Sequence, residues 1–359
     1  MDEKSNIQDF NTEELNAYRG AVWSYRQGQM ASRMIHFGDR LGIYKAMDGA
    51  GPLTARDLAE RTELNERFLL EWLRGQVAAR LLTYHKGDRF ELTPVGSAVL
   101  ANEDDNLHFL AGHFSVVEPP DFNDRFADAF KTGIGLSWDY FGDSLTEAME
   151  RMSGPWVRKA LVPTILSFLD GVSAKLERGA VVAEVGCGSG LALMTLAGAF
   201  PQSEFHGFDN SSAAIKRAEE KTAAEGLKNV TLRRIAGEDL PREPAFDLVI
   251  TLQCLHDMTR PDKVISSVRK TLKPDGTWLI KESKSHPDFE ENLKNPMCTL
   301  QYGYSILSCL LFSTSEPDGM GLGLLGFNPL VARKMLTEGG FSHFKQHETD
   351  DSLYYEVQI

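Results

Sequence analysis

A glycine-rich turn that joins a buried-type strand to a helix constrains this chain more than any other feature. The apolar run at 181–185 predicts a strand, and it leads into Gly-Cys-Gly-Ser-Gly at 186–190. Glycines at such a turn permit a tight bend and let a ligand approach the backbone beside the N-terminus of the following helix. The dinucleotide fingerprint needs a small residue where this chain has Leu191, so the turn favours a ligand other than NAD.

Further strands alternate with helical stretches after this turn. Extended runs are predicted at 204–208, 230–234, 246–252 and 277–281. This alternation predicts an α/β fold with a Rossmann-like, doubly wound parallel sheet. Asp209 directly follows the second strand of that sheet, where a carboxylate can accept hydrogen bonds from both hydroxyls of a ribose.

The residues before the sheet predict a winged helix. Apolar spacing predicts a helix over 15–48, Thr54 is the expected N-cap of a second helix, and a third helix is predicted over roughly 66–81. Two short extended runs then flank a turn at 86–88 and form the wing. Such a module either places a helix in the major groove of DNA or serves in structure and dimerisation.

Charge favours the structural alternative for the winged helix. The chain has 38 Lys and Arg against 51 Asp and Glu, which gives a formal net charge of -13. Arg67, Arg74 and Arg80 on the third predicted helix are accompanied by Glu66 and Glu71 and form no basic run. We therefore expect no nucleic-acid partner.

Length and cysteine content set the broad class. With 359 residues the chain exceeds the roughly 250–300 residues of one core, so two domains are expected. The cysteines form no C-x-x-C pair and the histidines show no metal-ligand spacing, so no bound metal is predicted. The acidic N-terminus lacks an apolar stretch, and the longest apolar-rich run, 302–312, is shorter than the ~20 residues of a membrane span. These features predict a cytoplasmic protein without a membrane segment.

Motifs in both halves of the chain resemble those of one enzyme class. The second half resembles class I S-adenosylmethionine (SAM)-dependent methyltransferases through EVGCGSG, GFDNS, GEDL, FDLVITLQCLHD and LKPDGTWLI. The first half resembles the winged-helix module of small-molecule methyltransferases through GPLTARDLAERT, ERFLLEWL and FELTPVGSAVL. ENLKNPMCTLQYGYSILSCL and GMGLGLLGF resemble the mycobacterial-type small-molecule methyltransferases in particular, and plant-type O-methyltransferases are more distant.

The resemblance implies a reaction and a domain organisation. It implies methyl transfer from SAM to an O, S or N atom of a small molecule by in-line displacement, without a metal. It also implies a homodimer formed through a winged-helix domain at 1–105, a helical connector at 106–177 that contributes to the acceptor pocket, and a SAM-binding domain at 178–359 with a lid-like insertion near 285–326. Two alternatives stay open: a nucleic-acid methyltransferase, and a SAM-binding regulator that transfers nothing.

By the same resemblance, the SAM-binding residues follow the predicted strands. The ribose is expected at the end of the second strand, the adenine after the third and the sulfonium after the fourth. An alternative role for the glutamate before the glycine turn is to cap a neighbouring helix. The predicted set is Glu184, Gly186, Cys187, Gly188, Gly190, Asp209, Asn210, Glu238, Asp239, Leu240, Gln253 and Cys254.

The predicted catalytic residues match the plant-type enzymes. His256 and Asp257 occupy the position of the His-Asp pair that follows the fourth strand there. The resemblance implies that His256 is the general base for an acceptor hydroxyl and that Glu282 orients its ring. The chain departs from that pattern at Met258, which replaces a Trp, and near Gly326, where a second carboxylate is expected. The alternative is a histidine with a structural role.

Aromatic residues suggest where the acceptor binds. They are dense between 109 and 141, and they either pack between domains or wall an acceptor pocket. The predicted substrate residues are Trp138, Tyr140, Phe141 and, on a later helix, Tyr302.

Overall fold

The structure, a computed structural model, describes residues 11–104 and 106–359. The described chain separates into two units at the junction of Ser115 and Val116. Both ends of the predicted 1–105 domain, and most of the acidic N-terminus, lie outside the described residues. The division into three parts at 105 and 177 stays a prediction.

The first unit contains the predicted winged helix. Its elements are α1 (Thr12–Arg40), α2 (Ile43–Met47), α3 (Ala55–Thr62), α4 (Glu66–Ala78), β1 (Thr83–His85), β2 (Arg89–Glu91) and α5 (Pro94–Leu100). β1 and β2 pair antiparallel across the turn at 86–88, which confirms the wing. The single helix predicted over 15–48 is wrong, because Gly42 has a φ of 68° and separates α1 from α2.

Side-chain caps explain where the middle helices of this unit begin. Thr54 and Asp57 form a capping box, in which each side chain accepts from the backbone N–H of the other residue, and α3 begins there as predicted. The side chain of Asn65 accepts hydrogen bonds from the N–H groups of Arg67 and Phe68 at the start of α4.

The second unit is an α/β structure. Its helices and strands are α6 (Phe122–Thr132), α7 (Gly142–Trp156), α8 (Val172–Arg178), β3 (Val181–Val185), α9 (Leu191–Ala199), β4 (Glu204–Asp209), α10 (Ser212–Ala224), β5 (Val230–Arg234), β6 (Phe246–Leu252), α11 (Pro261–Thr271), β7 (Leu272–Ser283), α12 (Phe289–Asn292), α13 (Cys298–Tyr304), α14 (Leu310–Ser313), α15 (Pro329–Glu338), β8 (His343–Glu348) and β9 (Ser352–Gln358). Two π-helical segments, Val157–Ile165 and Ser305–Cys309, extend α7 and join α13 to α14.

The strands form one mainly parallel sheet in the order β5-β4-β3-β6-β7-β9-β8. β3 to β7 are parallel to one another, whereas β9 runs antiparallel to β7 and β8. The doubly wound parallel sheet is therefore confirmed, and β7 is longer than the predicted 277–281. The hairpin of β8 and β9 is not among the predicted strands.

Apolar cores cover both faces of this sheet. Val185, Val249 and Trp278 pack into one core, and Val182, Leu248 and Leu279 pack into the other. Because both faces are covered, the central strands are almost uniformly buried. Within residues 11–104 and 106–359, no helix combines the length and the apolar character needed to cross a membrane.

The core of the first unit provides a stability test on one helix. Leu73 of α4 is 0% exposed, whereas Phe68 of the same helix is 81% exposed. Leu73→Ala is expected to lower the free energy of unfolding by about 2–5 kcal/mol because it leaves a cavity among apolar neighbours. Phe68→Ala, the matched control, is expected to change it by less than about 0.5 kcal/mol. Denaturant unfolding measures both, and equal effects would contradict the described packing.

Candidate functional site

The glycine turn lies between β3 and α9, as predicted. Gly186 has a φ of 73°, and its N–H donates to the carbonyl of Phe208 at 2.8 Å. A Cβ on Gly186 would lie 2.9 Å from the Sγ atom of Cys254, so only glycine fits between the ends of β3 and β6. A Cβ on Gly188, with a φ of 53°, would instead point into open space. The backbone of the turn is thus open to a ligand at Gly188.

Asp209 at the end of β4 is tied to this turn. Its Oδ2 accepts from the N–H of Gly188 at 2.9 Å, and its Oδ1 accepts from the N–H of Ser211 at 2.9 Å. Burial raises the pKa of Asp209, and these hydrogen bonds oppose the increase. The hydroxyl of Ser211 donates to Asp139 at 2.6 Å, which links the turn at 138–140 to the same site.

Glu184 is a buried carboxyl with an incomplete set of partners. It is 3% exposed, and its Oε2 is a buried oxygen without a hydrogen-bond donor. Burial raises its pKa to about 8, although a hydrogen bond from the backbone of Leu193 opposes the shift. A buried oxygen of this kind is suited to a cationic or hydrogen-bond-donating ligand.

The residues after β6 adopt an unusual backbone conformation. Gln253 has a φ of 58°, a value that costs a residue other than glycine about 1–3 kcal/mol. Its N–H donates to the carbonyl of Lys281 at 2.7 Å, and its side chain accepts from the hydroxyl of Ser283 at 3.2 Å. The thiol of Cys254 lies 3.3 Å from the carbonyl oxygen of Val185. Cys187, in the glycine turn, is buried. The structure therefore brings the ends of β3, β6 and β7 together.

The other predicted SAM-binding residues lie at the ends of β4 and β5. Asn210 is exposed, as are Glu238 and Asp239 in the helical turn after β5. Leu240 differs from these three because its side chain is 2% exposed and packs in the apolar core. A contact between Leu240 and a ligand would therefore come from its backbone. Gly190, the last glycine of the turn, precedes α9 with a φ of 74°.

His256 lies at the centre of a buried charged cluster. Its Nδ1 binds the carboxylate of Glu282 on β7, and its Nε2 lies 3.1 Å from Oδ1 of Asp257. Burial lowers the pKa of His256, but the carboxylates of Asp257 and Glu282 outweigh it and raise that pKa well above its usual value. The thiol of Cys309 lies beside the same ring, and burial raises its pKa to about 11.

The predicted substrate residues do not come together. Trp138 and Phe141 pack with Phe312 at ring-centroid distances of 5.0 and 5.7 Å. Tyr140 contacts Phe141 and donates its hydroxyl to Asp121 at 2.8 Å. These three aromatic residues thus belong to one aromatic cluster of the second unit, and their contact with a substrate stays a prediction. Tyr302 is separate from them.

Tyr302 lines a cavity of about 280 Å³ in the second unit. Its walls combine polar and apolar side chains, which include those of His286, Phe289, Asn292, Tyr302, Ser305 and Leu322. All of these residues lie in the predicted lid-like segment near 285–326. A cavity with a few polar groups among apolar ones is typical of small-molecule binding.

Three features of the site were not predicted from the sequence. Cys309 lies within an apolar helical stretch, and no local pattern connects it to His256. Lys281 is buried with its ammonium 4.6 Å from the centre of the Trp156 ring, and burial lowers its pKa to about 8. The strand pattern of 277–281 indicated a buried residue there, although not a charged one. No local pattern distinguishes Asp139, which lies between two aromatic residues.

Comparison with known proteins identifies both parts of the chain. A family model described as a methyltransferase domain matches residues 176–312. A second model, described as an Rv2258c-like winged HTH domain, matches residues 30–101. The methyltransferase ungE' of Aspergillus campestris is 24% identical over 215 residues, which are 55% of this chain and 58% of that protein. The chain therefore spans less than two thirds of the length of this curated relative.

Solved structures show the same fold over nearly the whole chain. Human N-acetylserotonin methyltransferase in complex with SAM has a TM-score of 0.70 at 18% identity, over 98% of this chain and 99% of that one. The mitomycin 7-O-methyltransferase MmcR has a TM-score of 0.66 at 17% identity, over 97% of this chain and 100% of that one. These likenesses support the class I methyltransferase fold. Within that fold, residues 176–312 match a methyltransferase domain and residues 30–101 match an Rv2258c-like winged HTH domain.

Proposed function

We propose that this chain transfers a methyl group from SAM to a hydroxyl group of a small molecule. The observation that carries the proposal is the buried pair of His256 and Glu282, which joins the ends of β6 and β7. Cys254, two residues before His256, contacts β3 at the glycine turn, so the histidine is close to the candidate SAM site. A proton acceptor beside a methyl-donor site is what a hydroxyl acceptor requires.

The residues at the ends of β3 and β4 fit SAM. The buried Oε2 of Glu184 lacks a donor, and the ammonium group of SAM would supply one. Asp209 keeps a lone pair on each oxygen beyond its two backbone hydrogen bonds, which suits ribose hydroxyls. The bound SAM supplies a methyl group made reactive by the positive sulfonium. The residues after β5, Glu238 and Asp239, are proposed to frame the adenine.

In this proposal His256 accepts the proton of the acceptor hydroxyl at Nε2. Glu282 accepts a hydrogen bond from Nδ1–H, so the lone pair of the neutral ring is on Nε2, and the carboxylate stabilises the charge that builds there. Asp257 lies beside Nε2, so the acceptor hydroxyl has to reach Nε2 next to the carboxylate of Asp257. Because both carboxylates raise the pKa of His256, turnover is expected to increase with pH until the ring is neutral.

The cavity that contains Tyr302 is the proposed acceptor site. Tyr302, Ser305 and Cys309 follow one another on the continuous helix from α13 to α14. At about 1.5 Å of rise per residue, Ser305 is roughly 6 Å along the helix from Cys309, which contacts the His256 cluster. An acceptor of moderate size in this cavity can therefore extend a hydroxyl toward His256. Sulfur or nitrogen acceptors stay alternatives that need no base.

Label transfer tests the reaction and its base together. Methyl-labelled SAM is incubated with fractionated cell extract and wild-type, Asp209→Ala or His256→Ala protein. Label is expected in the small-molecule fraction with the wild type, and it should be lost with Asp209→Ala because the ribose contact is removed. With the acceptor identified by mass, His256→Ala is expected to lower turnover at least 100-fold, roughly the contribution of a general base.

The same experiment separates the alternatives. Asp275→Ala removes an exposed carboxylate that pairs with Lys175, and as the matched control it should transfer label like the wild type. Label in DNA or RNA would instead favour a nucleic-acid methyltransferase, which the net charge of -13 opposes. SAM binding without transfer to any fraction would favour a regulator. Unchanged turnover in His256→Ala would refute the base role.

The pKa of Glu184 predicts how SAM binding depends on pH. A carboxyl with a pKa of about 8 is mostly neutral at lower pH, and only its ionised form pairs with the SAM ammonium. The affinity for SAM is therefore expected to increase by up to about tenfold between pH 6 and pH 7. Calorimetry measures how the affinity for SAM depends on pH. Glu184→Gln should abolish this dependence, whereas the control Glu204→Gln, at an exposed position of β4, should retain it. A wild-type affinity that does not change with pH would contradict the assignment.

We also propose that α1 forms a homodimer. Large apolar side chains stand exposed along this helix: Leu15, Tyr18, Val22, Trp23, Tyr25 and Met30. Exposed apolar surface of this extent marks an interaction site, and a second copy of the helix is a complementary partner. Trp23→Glu is expected to shift the protein from dimer to monomer in light scattering, whereas the neighbouring Ser24→Glu should stay dimeric. A monomeric wild type would refute this part of the proposal.

A further inference from the structure

Three metal-ligating side chains converge at the His256 cluster. His256, Asp257 and Cys309 each offer one ligand atom, and these atoms all lie within 4.8 Å of one another. His256 and Cys309 are buried, and Asp257 is half-buried. His256 and Asp257 follow β6, whereas Cys309 ends the π-helical segment between α13 and α14. The cluster is therefore created by the fold and has no local sequence spacing.

Glu282 determines which nitrogen of His256 faces this cluster. Its carboxylate accepts from Nδ1–H, so in the neutral ring Nε2 carries the lone pair and is available as a ligand. Nε2 lies 3.1 Å from Oδ1 of Asp257, yet this buried oxygen has no hydrogen-bond donor. In the neutral ring these two electron-rich atoms face each other, and the positive charge that stabilises them is either a proton on Nε2 or a bound cation in its place.

We propose that His256 Nε2, a carboxylate oxygen of Asp257 and Cys309 Sγ bind a Zn²⁺ ion. Imidazole, carboxylate and thiolate are all ligands of zinc in proteins, and three protein ligands with an open fourth position are typical of accessible zinc sites. The ionised forms of Asp257 and Cys309 together balance the charge of the ion, and the thiol proton and the Nε2 proton of the charged ring are released to solvent on binding.

The geometry is close to that of a tetrahedral site. Ligand atoms about 2.0–2.3 Å from zinc lie roughly 3.5 Å from one another, so the atoms that are farthest apart have to approach by up to about 1.3 Å. Nε2 of His256 and Oδ1 of Asp257, which are 3.1 Å apart, already lie within that distance. Glu282 completes the arrangement as a carboxylate that orients the metal-binding histidine through its other nitrogen. Such outer carboxylates raise the basicity of the ligand nitrogen.

Zinc at this site would oppose methyl transfer. Nε2 has a single lone pair, so it either accepts the proton of the acceptor hydroxyl or binds the ion. Zn²⁺ is therefore an inhibitor that competes for the base, and this consequence rests on the proposed function, whereas binding of the ion does not.

Binding is tested on the whole chain of 359 residues without an acceptor. Calorimetric titration with Zn²⁺ is expected to show one site in the wild type, with affinity about 10–100-fold lower in Glu282→Gln and lower still in Cys309→Ser. Cys298→Ser is the matched control, because Cys298 is also buried but is outside the cluster, and it should bind like the wild type. The proposed site would be overturned if Cys309→Ser bound Zn²⁺ as tightly as the wild type does, or if the wild type bound no Zn²⁺.

Two further measurements keep the test decisive. Co²⁺ in place of Zn²⁺ should give a thiolate-to-metal charge-transfer band in the wild type, even where Cys309→Ser does not fold, and absence of the band overturns the thiolate ligand. Once the acceptor is identified, the ratio of the methyl-transfer rate with Zn²⁺ to the rate without Zn²⁺ should be low in the wild type and in Cys298→Ser. A ratio near one despite zinc binding overturns the inhibition and leaves the binding result intact.

Discussion

Burial of both faces of the parallel sheet is the constraint on which the rest of the second unit depends. Side chains from β3, β6 and β7 alternate between two apolar cores, and neither core accepts an unpaired charge at low cost. Polar groups are therefore concentrated where the strands end. On these three strands the charged side chains that are buried lie near the end of the strand: Glu184, Lys281 and Glu282. Glu282 has His256 as a partner and Lys281 has the Trp156 ring, whereas one oxygen of Glu184 has no donor.

The central strands and the winged helix could be predicted because local signals determine them. Runs of apolar residues specify strands covered on both faces, and caps such as Thr54 and Asn65 specify where helices begin. The hairpin of β8 and β9 was harder to predict, because no residue of β8 is fully buried and its polar residues resemble those of a loop. The break at Gly42 was missed for a related reason. A helical apolar pattern continues across it, and only the backbone dihedral reveals the interruption.

Motif resemblance located the end of each strand but not the surroundings that other elements provide. The resemblance predicted that Glu282 lies beside His256, and the structure places the two side chains in contact. Cys309 and Asp139 reach the site through tertiary packing, so no spacing along the chain indicates them. The aromatic residues near 140 show the reverse problem. Their composition suggests a pocket as readily as a core, and their contacts with Phe312 are a tertiary feature that composition does not contain.

The π-helical segment Ser305–Cys309 has a consequence for how such sites diversify. A π turn contains about one residue more than an α turn, so the side chains after it are rotated by roughly 100° relative to an uninterrupted helix. Removing one residue here would turn the thiol of Cys309 away from the imidazole while Tyr302 kept its place at the cavity. A single insertion or deletion in this helix is thus enough to add or remove a sulfur ligand, with the sheet and its strand-end residues unchanged.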